Sequence, residues 1–312
     1  MAHLRSFRFG VQLTHPLGDR SWADTARYVE SLGYDSLHLP DHFGDQLAPM
    51  PAMMAAAAAT TTLKVGALVL DNDYKHPVVT AKELATIDVL SAGRVEVGLG
   101  AGWMTSDYDQ SGIPLDPPGV RVSRMEESIA VMKGLFADGS VDFDGDHYQV
   151  SGLEGTPKPV QRPHPPFLIG GGGKRVLSIA AQEADIVGIN PSLKAGVVSP
   201  EAAADATAEA TDRKVGWVRE VAGDRWERIE INMLVMAAIV TDDRLGTAAM
   251  MAELFGFGAE AVLEVPHVWI GTEDEICADL QARRDRWGVS YYVLQGDACE
   301  AIAPVVQRLT GT

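Results

Sequence analysis

The apolar run Ser36-Leu37-His38-Leu39-Pro40 stops at Asp41-His42-Phe43, which sets a carboxylate beside an imidazole. Both groups can take up and return protons, and an imidazole does so near neutral pH. Delivered by a strand into the loop that follows it, the pair is placed for general acid-base work, and His42 is the candidate catalytic residue. A hydrogen-bonded structural histidine is the competing reading; the strand-end position favours chemistry.

Other segments offer the surroundings such a pair would need. Leu68-Val69-Leu70-Asp71-Asn72 brings a further acid to the end of another apolar run. Gly100-Ala101-Gly102-Trp103 joins a backbone that can approach a flat group to an indole that can stack on one, or pack in the core. Asp107 and Tyr108 lie in the same loop. Gly170-Gly171-Gly172-Gly173, followed by Lys174-Arg175-Val176, opens a helix whose backbone N–H groups, unshielded by Cβ atoms, favour an anion such as a phosphate. Asn190 ends a later apolar run. Trp103, Tyr108 and Asn190 are the candidate substrate-pocket residues, whereas His76, just before Pro77, reads as a helix cap.

These segments must be held at one end of a common scaffold, and the chain reads as eight strand-then-helix units. Phe7 to Leu13 is the first strand, and Ser21 caps a helix that Gly33 closes. The second strand ends at Asp41 and precedes a helix over Pro51 to Ala59. Lys64 to Leu70 and Val78 to Leu90 make the third unit, and Arg94 to Leu99 with Arg121 to Phe136 the fourth. Val141 to Tyr148 carries an Asp-Gly turn between short β-type runs and predicts an inserted hairpin. A proline-rich connector over Thr156 to Pro166 leads to strand five, Phe167 to Ile169, and a helix from about Lys174. Ala184 to Ile189 is strand six; Ser199-Pro200 then predicts the cap of one long helix, with the Ala-rich 202–210 segment inside it. Ile229 to Val240 reads as strand seven. Thr272-Glu273-Asp274-Glu275 is a capping box opening a helix to about Trp287, and Ser290 to Leu294 with Ala301 to Leu309 completes the set.

Eight such units in order predict a (β/α)8 TIM barrel with a hairpin insertion after the fourth unit, and in that fold functional residues sit at the C-terminal ends of the strands. A doubly wound sheet is disfavoured because Thr14-His15-Pro16-Leu17-Gly18, after the first strand, is no dinucleotide fingerprint.

Composition removes other classes. A formal charge of -17 repels nucleic acid and anionic membrane surfaces. No run approaches the roughly 18 to 20 apolar residues that cross a bilayer, and the first residues carry no apolar signal core. A soluble, cytoplasmic protein is expected. Cys277 and Cys299 stand far apart with no metal-ligand spacing, so both are expected to be reduced packing residues. No metal site is expected, because the first strand lacks a His-x-His; a serine hydrolase is disfavoured because no G-x-S-x-G elbow appears, and a Schiff-base aldolase because no strand end offers a lysine.

In their succession these segments resemble the luciferase-like monooxygenase superfamily, and within it the F420 (deazaflavin)-dependent oxidoreductases. The resemblance rests on Gly33-Tyr34-Asp35-Ser36-Leu37 with Asp41-His42-Phe43, on Val65-Gly66 to Asn72-Asp73-Tyr74-Lys75-His76-Pro77, and on Leu90-Ser91-Ala92-Gly93-Arg94 to Gly98-Leu99-Gly100-Ala101-Gly102-Trp103. Phe143 to Tyr148, Pro157 to Pro163, Ile169 to Gly173 and Ala184-Asp185 extend it. It implies one barrel domain over 1–312 with its insertion at about 137–165. It also implies a hydride moved between F420 and a small organic substrate, with His42 as the proton partner. Cofactor contacts carried over by position fall on Asp41, on Leu68 and Val69 (a non-prolyl cis peptide), on Asp71, on Ala101 and Gly102, and, for the phosphate tail, on Gly172, Gly173, Arg175 and Val176. A homodimer is the family's habit.

Two positions depart from the sugar-phosphate dehydrogenases of that branch. Trp103 stands in place of a glutamate and Leu193 in place of a phosphate-binding lysine, so a sugar phosphate is a poor substrate for this chain. The alternatives in view are an FMN-dependent monooxygenase fed by a separate reductase, which often shows a Glu-His-His pattern where this chain has Asp41-His42-Phe43, and a non-catalytic cofactor-binding barrel.

Overall fold

Alternation along each strand decides what this chain encloses. In the first strand Phe9 and Val11 are fully buried among the helices, while Arg8 and Gln12 reach the interior partners Glu96 and Leu68. The computed structural model describes residues 5–197, 200–255 and 258–312. Its barrel strands are β1 Arg8–Gln12, β2 Ser36–Leu39, β3 Lys64–Ala67, β4 Val95–Gly100, β5 Phe167–Gly171, β6 Ile186–Ile189, β7 Glu230–Val235 and β8 Val289–Gln295. All pair in parallel in the order β3-β2-β1-β8-β7-β6-β5-β4, and β4 returns to β3 through Val65↔Val95 and Gly66↔Glu96. The sheet is therefore closed, with helices between the strands: a (β/α)8 barrel.

The interior is filled, not hollow. Leu68, Leu168, Ile186, Tyr291 and Val293 form an apolar cluster inside the sheet, with Val69 and Leu234 packed on it. Below it, at the N-terminal ends of the strands, Arg8 binds Asp35, Glu96 and Glu230 at 2.6 to 2.8 Å. Tyr291 Oη donates to Glu96 at 2.9 Å and stands 2.6 Å from both Ser36 Oγ and His38 Nε2. A Cβ at Gly10 would lie 2.3 Å from Ser36 Oγ, so glycine there makes room for this polar plug.

Many local signals act as the residue types dictate. Ser21 Oγ accepts from Asp24 N, His76 accepts from Val78 N ahead of Pro77, and Thr272 and Glu275 complete a capping box. Ser140–Asp144 and Gln149–Glu154 pair antiparallel, and the Glu127 carboxylate accepts from the amides of Asp146, His147 and Tyr148 in the turn between them. Both cysteines are free and buried. Among the described residues no helix is long and apolar enough to cross a membrane.

Three expectations need correction. Strand seven does not run through to Val240. It leaves the barrel at Met236, and Ala237–Val240 pairs instead with Val268–Gly271 in a separate sheet beside helices Arg244–Phe255 and Ala259–Leu263. The long helix after β6 is two, Pro200–Ala204 and Ala208–Ala222, because Thr207 caps the second helix while Asp205 is drawn to Lys214 and the Ser192 amide; Ser199 lies outside the described residues. Finally, the loop after β4 contains a short helix, Thr105–Ser111.

Candidate functional site

His42 stands two residues beyond the Pro40 that follows β2, with 24% of its side chain exposed. Its Nδ1 lies 2.7 Å from Asp107 Oδ2, on the first turn of the helix Thr105–Ser111. Asp107 is held from two other directions: Tyr74 Oη donates to Oδ2 at 3.0 Å and Phe43 N donates to Oδ1 at 3.3 Å. The Trp103 ring meets the imidazole edge-on, with centroids 5.5 Å apart, and Phe43 lies against Tyr74 at 4.5 Å. His42 is thus fixed on one nitrogen and framed by aromatic side chains.

Asp41 turns the other way. Its Oδ2 accepts from Asp71 N at 3.1 Å, tying the loop after β2 to the one after β3. The Asp71 carboxylate accepts from Asp73 N at 2.9 Å and from Tyr108 Oη at 3.1 Å, and Tyr108 also reaches Asp73, which Arg124 binds at 2.8 Å. Burial, set against the Asp73 amide and reinforced by the nearby Asp73 and Asp41 charges, pushes Asp71 up to about 7. Burial likewise raises Asp41. Beside these acids lies a recess of ≈ 220 Å³ whose apolar walls include Met50, Leu70 and Leu99, with Phe43 and Tyr74 at its rim.

The Leu68–Val69 peptide is cis, as the resemblance implies, and Gln12 Nε2 donates to Leu68 O. Val69 packs over glycines: a Cβ at Gly100 would lie 2.5 Å from its Cγ2, so the glycine of strand four is required by this bulge. Gly102, with φ +73°, is demanded by its neighbours as well, because a Cβ there would sit 1.9 Å from Tyr108 Oη. Gly102 O accepts from Arg121, and Ala101 remains half-buried at the mouth.

The glycine run divides. Gly170 and Gly171 end β5, and a Cβ at Gly172 would strike the backbone of Pro191 and Ser192 at 2.4 Å, so close packing explains Gly172. Gly173 faces open space and begins the ten-residue helix Lys174–Glu183 with no side-chain cap. The first-turn amides of that helix are the arrangement that receives an anion. Arg175 is exposed and donates to Gly119 O and Ser123 Oγ, while Val176 packs on Gly171. The Asn190 amide sits over Gly170, and its buried Oδ1 has no hydrogen-bond partner. Lys214, buried, donates to Asn190 O and pairs with Asp205, anchoring this loop.

The strand ends after β2, β3 and β4 therefore converge on His42, and those after β5 and β6 on Gly173 and Asn190. Tyr108 is a correction: it is 1% exposed with its hydroxyl bound to Asp71 and Asp73, so it supports the loop and does not line a substrate pocket. The sequence placed Asp107 in the Trp103 loop, within reach of the same pocket as Tyr108, without showing its partner. Its pairing with His42 spans 65 positions and depends on the short helix that carries it.

The chain is similar to known proteins in sequence and fold. The chain is 36% identical over 131 residues to the FMNH2-dependent dimethylsulfone monooxygenase of Pseudomonas putida, covering 42% of this chain and 36% of that protein. It is 31% identical over 163 residues to the F420-dependent glucose-6-phosphate dehydrogenase of Amycolatopsis mediterranei, covering 50% of this chain and 49% of that protein. Each match thus spans half or less of the curated relative's length. The coenzyme F420-dependent tetrahydromethanopterin reductase of Methanopyrus kandleri has the same fold, with a TM-score of 0.76 over 98% of this chain and 99% of the other at 18% identity. The luciferase-like monooxygenase profile matches residues 2–223, and the chain belongs to that family.

Proposed function

We propose that this chain is an F420-dependent oxidoreductase acting on a small organic substrate, with His42 as the group that exchanges the accompanying proton. When bound, the deazaflavin would supply or accept the hydride. The observation that carries the reading is His42 itself: a half-buried imidazole at the barrel mouth, with Nδ1 tied to Asp107 and Trp103 against its edge.

The residues suit such a cofactor. Val69, half-exposed on its bulge, offers an apolar face for a ring, and the buried Asn190 Oδ1 lacks a partner that a ring substituent could provide. Gly173 with the uncapped helix start suits the phosphate tail, and Asp41 and Asp71 would border the ring side of the site. Phe43, Tyr74 and Trp103 make the substrate side aromatic. The mouth binds and orients; His42 holds or releases one proton. The second reading, reduced FMN in a monooxygenase, is favoured by the likeness to the dimethylsulfone enzyme.

The deciding experiment is a fluorescence titration of the cofactor-free protein with F420, FMN and NADPH in parallel. F420 binding is expected, and micromolar FMN affinity without F420 binding would overturn the proposal. His42→Ala should lower turnover at least about tenfold, since positioned proton transfer contributes roughly 100- to 10,000-fold. Cofactor affinity should largely survive; unchanged turnover removes His42 from the chemistry.

A further inference from the structure

We infer that Asp107 is a positioning residue that dictates which nitrogen of His42 carries the proton, keeping Nδ1 protonated and presenting Nε2 to the barrel mouth. The role of the imidazole in turnover rests on the proposed function; the tautomer does not.

The geometry leaves Asp107 one arrangement. Its side chain is 5% exposed and meets three partners. Oδ1 accepts from the Phe43 amide, a donor that cannot reverse its role. Oδ2 receives His42 Nδ1 at 2.7 Å and the Tyr74 hydroxyl at 3.0 Å. A carboxylate has no proton to give, so the short contact to Nδ1 requires the hydrogen on the ring. In neutral His42 that leaves Nε2 with its lone pair, ready to accept a proton; in charged His42 it leaves Nε2 as the nitrogen that donates one. Trp103, edge-on to the ring, limits its rotation.

The same contacts predict what Asp107→Asn would do. The Phe43 amide still needs an acceptor, so the new side-chain carbonyl takes the Oδ1 position and the NH2 group takes that of Oδ2. The NH2 group then faces Nδ1, where it can only donate. The Tyr74 hydroxyl rotates to accept its second hydrogen. Neutral His42 must move its proton to Nε2, and the nitrogen aimed at the mouth loses its lone pair, although shape and volume hardly change. A purely structural role for Asp107 would produce no such reversal.

The test is imidazole 15N spectroscopy on the cofactor-free protein at about pH 9, above the ordinary histidine range, with the His42 signals identified by their loss in His42→Gln. Wild type should show a pyrrole-type Nδ1 and a pyridine-type Nε2, and Asp107→Asn the reverse. Tyr74→Phe, which removes a donor to Asp107 but leaves the carboxylate, should keep the wild-type pattern. An Nε2–H tautomer in wild type overturns the inference even if Asp107→Asn fails to fold, and so does an unchanged tautomer in a folded Asp107→Asn. Turnover of Asp107→Asn should fall roughly 100- to 10,000-fold with cofactor affinity retained. Failure of His42→Ala to slow turnover would remove the proposed function while the spectra still decide the tautomer.

Discussion

His38 and His42 are four residues apart, and each stands with a carboxylate and a tyrosine, yet the two ends of the barrel treat them differently. His38 is 1% exposed; its Nε2 lies 2.6 Å from Tyr291 Oη and 3.7 Å from Glu96, which Arg8 neutralises. Burial pushes it down to about 4. His42 meets Asp107 through Nδ1 alone, with Tyr74 donating to the same carboxylate, and keeps about a quarter of its side chain exposed. The residue types are alike. What separates a structural cluster from a chemical one is whether the ring is open to solvent, and whether a cation balances the acids. Arg8 provides that balance at the closed end, where it serves three carboxylates at once. At the open end the corresponding acids, Asp41 and Asp71, both sit above the usual carboxylate range.

The sharpest way to break this contrast is to remove the cation from the closed end. Arg8→Met leaves Glu96 and Glu230 beside Tyr291 without their cation and Asp35 with Lys64 alone, and uncompensated buried charge costs about 3 to 5 kcal/mol. Urea unfolding should show a correspondingly lower midpoint. A loss below about 1 kcal/mol would mean that the plug is solvated after all.

Acid should probe the same end through His38, with a smaller effect, and should report as well on buried His267 against Leu234. His38 and His267, the latter also held near 4 by burial, stay neutral when folded but bind protons below about 6.5 when unfolded. The unfolded chain then holds more protons, so stability falls as pH drops from about 6.5 to about 4, with His38 contributing up to about 3 kcal/mol of the fall. Glu96, lowered by Arg8 and His38 against the cost of burial, adds stability that is present above the unfolded glutamate range and is lost only at more acid pH. Replacing His38 with Gln should make the 6.5-to-4 segment of the curve shallower, with His267 supplying the slope that remains. An unaltered curve would separate His38 from the pH response.

Much of this contrast could be read before any coordinates, and the parts that could not share a cause. Strands and caps were legible because each depends on residues a few positions apart, as with Ser21 and Asp24, His76 and Val78, or Thr272 and Glu275. Asp41 and His42 were legible as strand-end groups, and the cis bond at Leu68–Val69 through resemblance to a family. The closed-end plug was hidden because Arg8, Glu96, Glu230 and Tyr291 come from four strands far apart in sequence, and no one strand shows which polar residues meet. The same distance concealed Asp107 from His42 and misplaced Tyr108, whose place in the Trp103 loop suggested a pocket while its hydroxyl belongs to Asp71 and Asp73. Val240 was assigned to the barrel because a β-type run does not disclose that its second half changes sheets at Met236.

The smallest effect is expected at the open end, with the opposite sign. Asp71 is held near 7 when folded and titrates near 3.8 when unfolded, so between these values the folded protein binds the extra proton. Stability must therefore decline as pH rises through that window, and by pH 8 the full cost of an under-balanced buried carboxylate is present. Asp71→Asn removes that charge while its carbonyl can still accept from Asp73 N and its NH2 group can meet a rotated Tyr108 hydroxyl. A gain of about 1 kcal/mol is expected at pH 8, within the range that relieving a functional site commonly yields. At pH 4, where wild-type Asp71 is already protonated in the folded state, the gain should vanish. Paired urea titrations of the two proteins at these pH values measure the difference. A variant less stable than wild type at pH 8 would show that the open-end acids are as well supported as those at the closed end, and the distinction between the two histidine clusters would then rest on exposure alone.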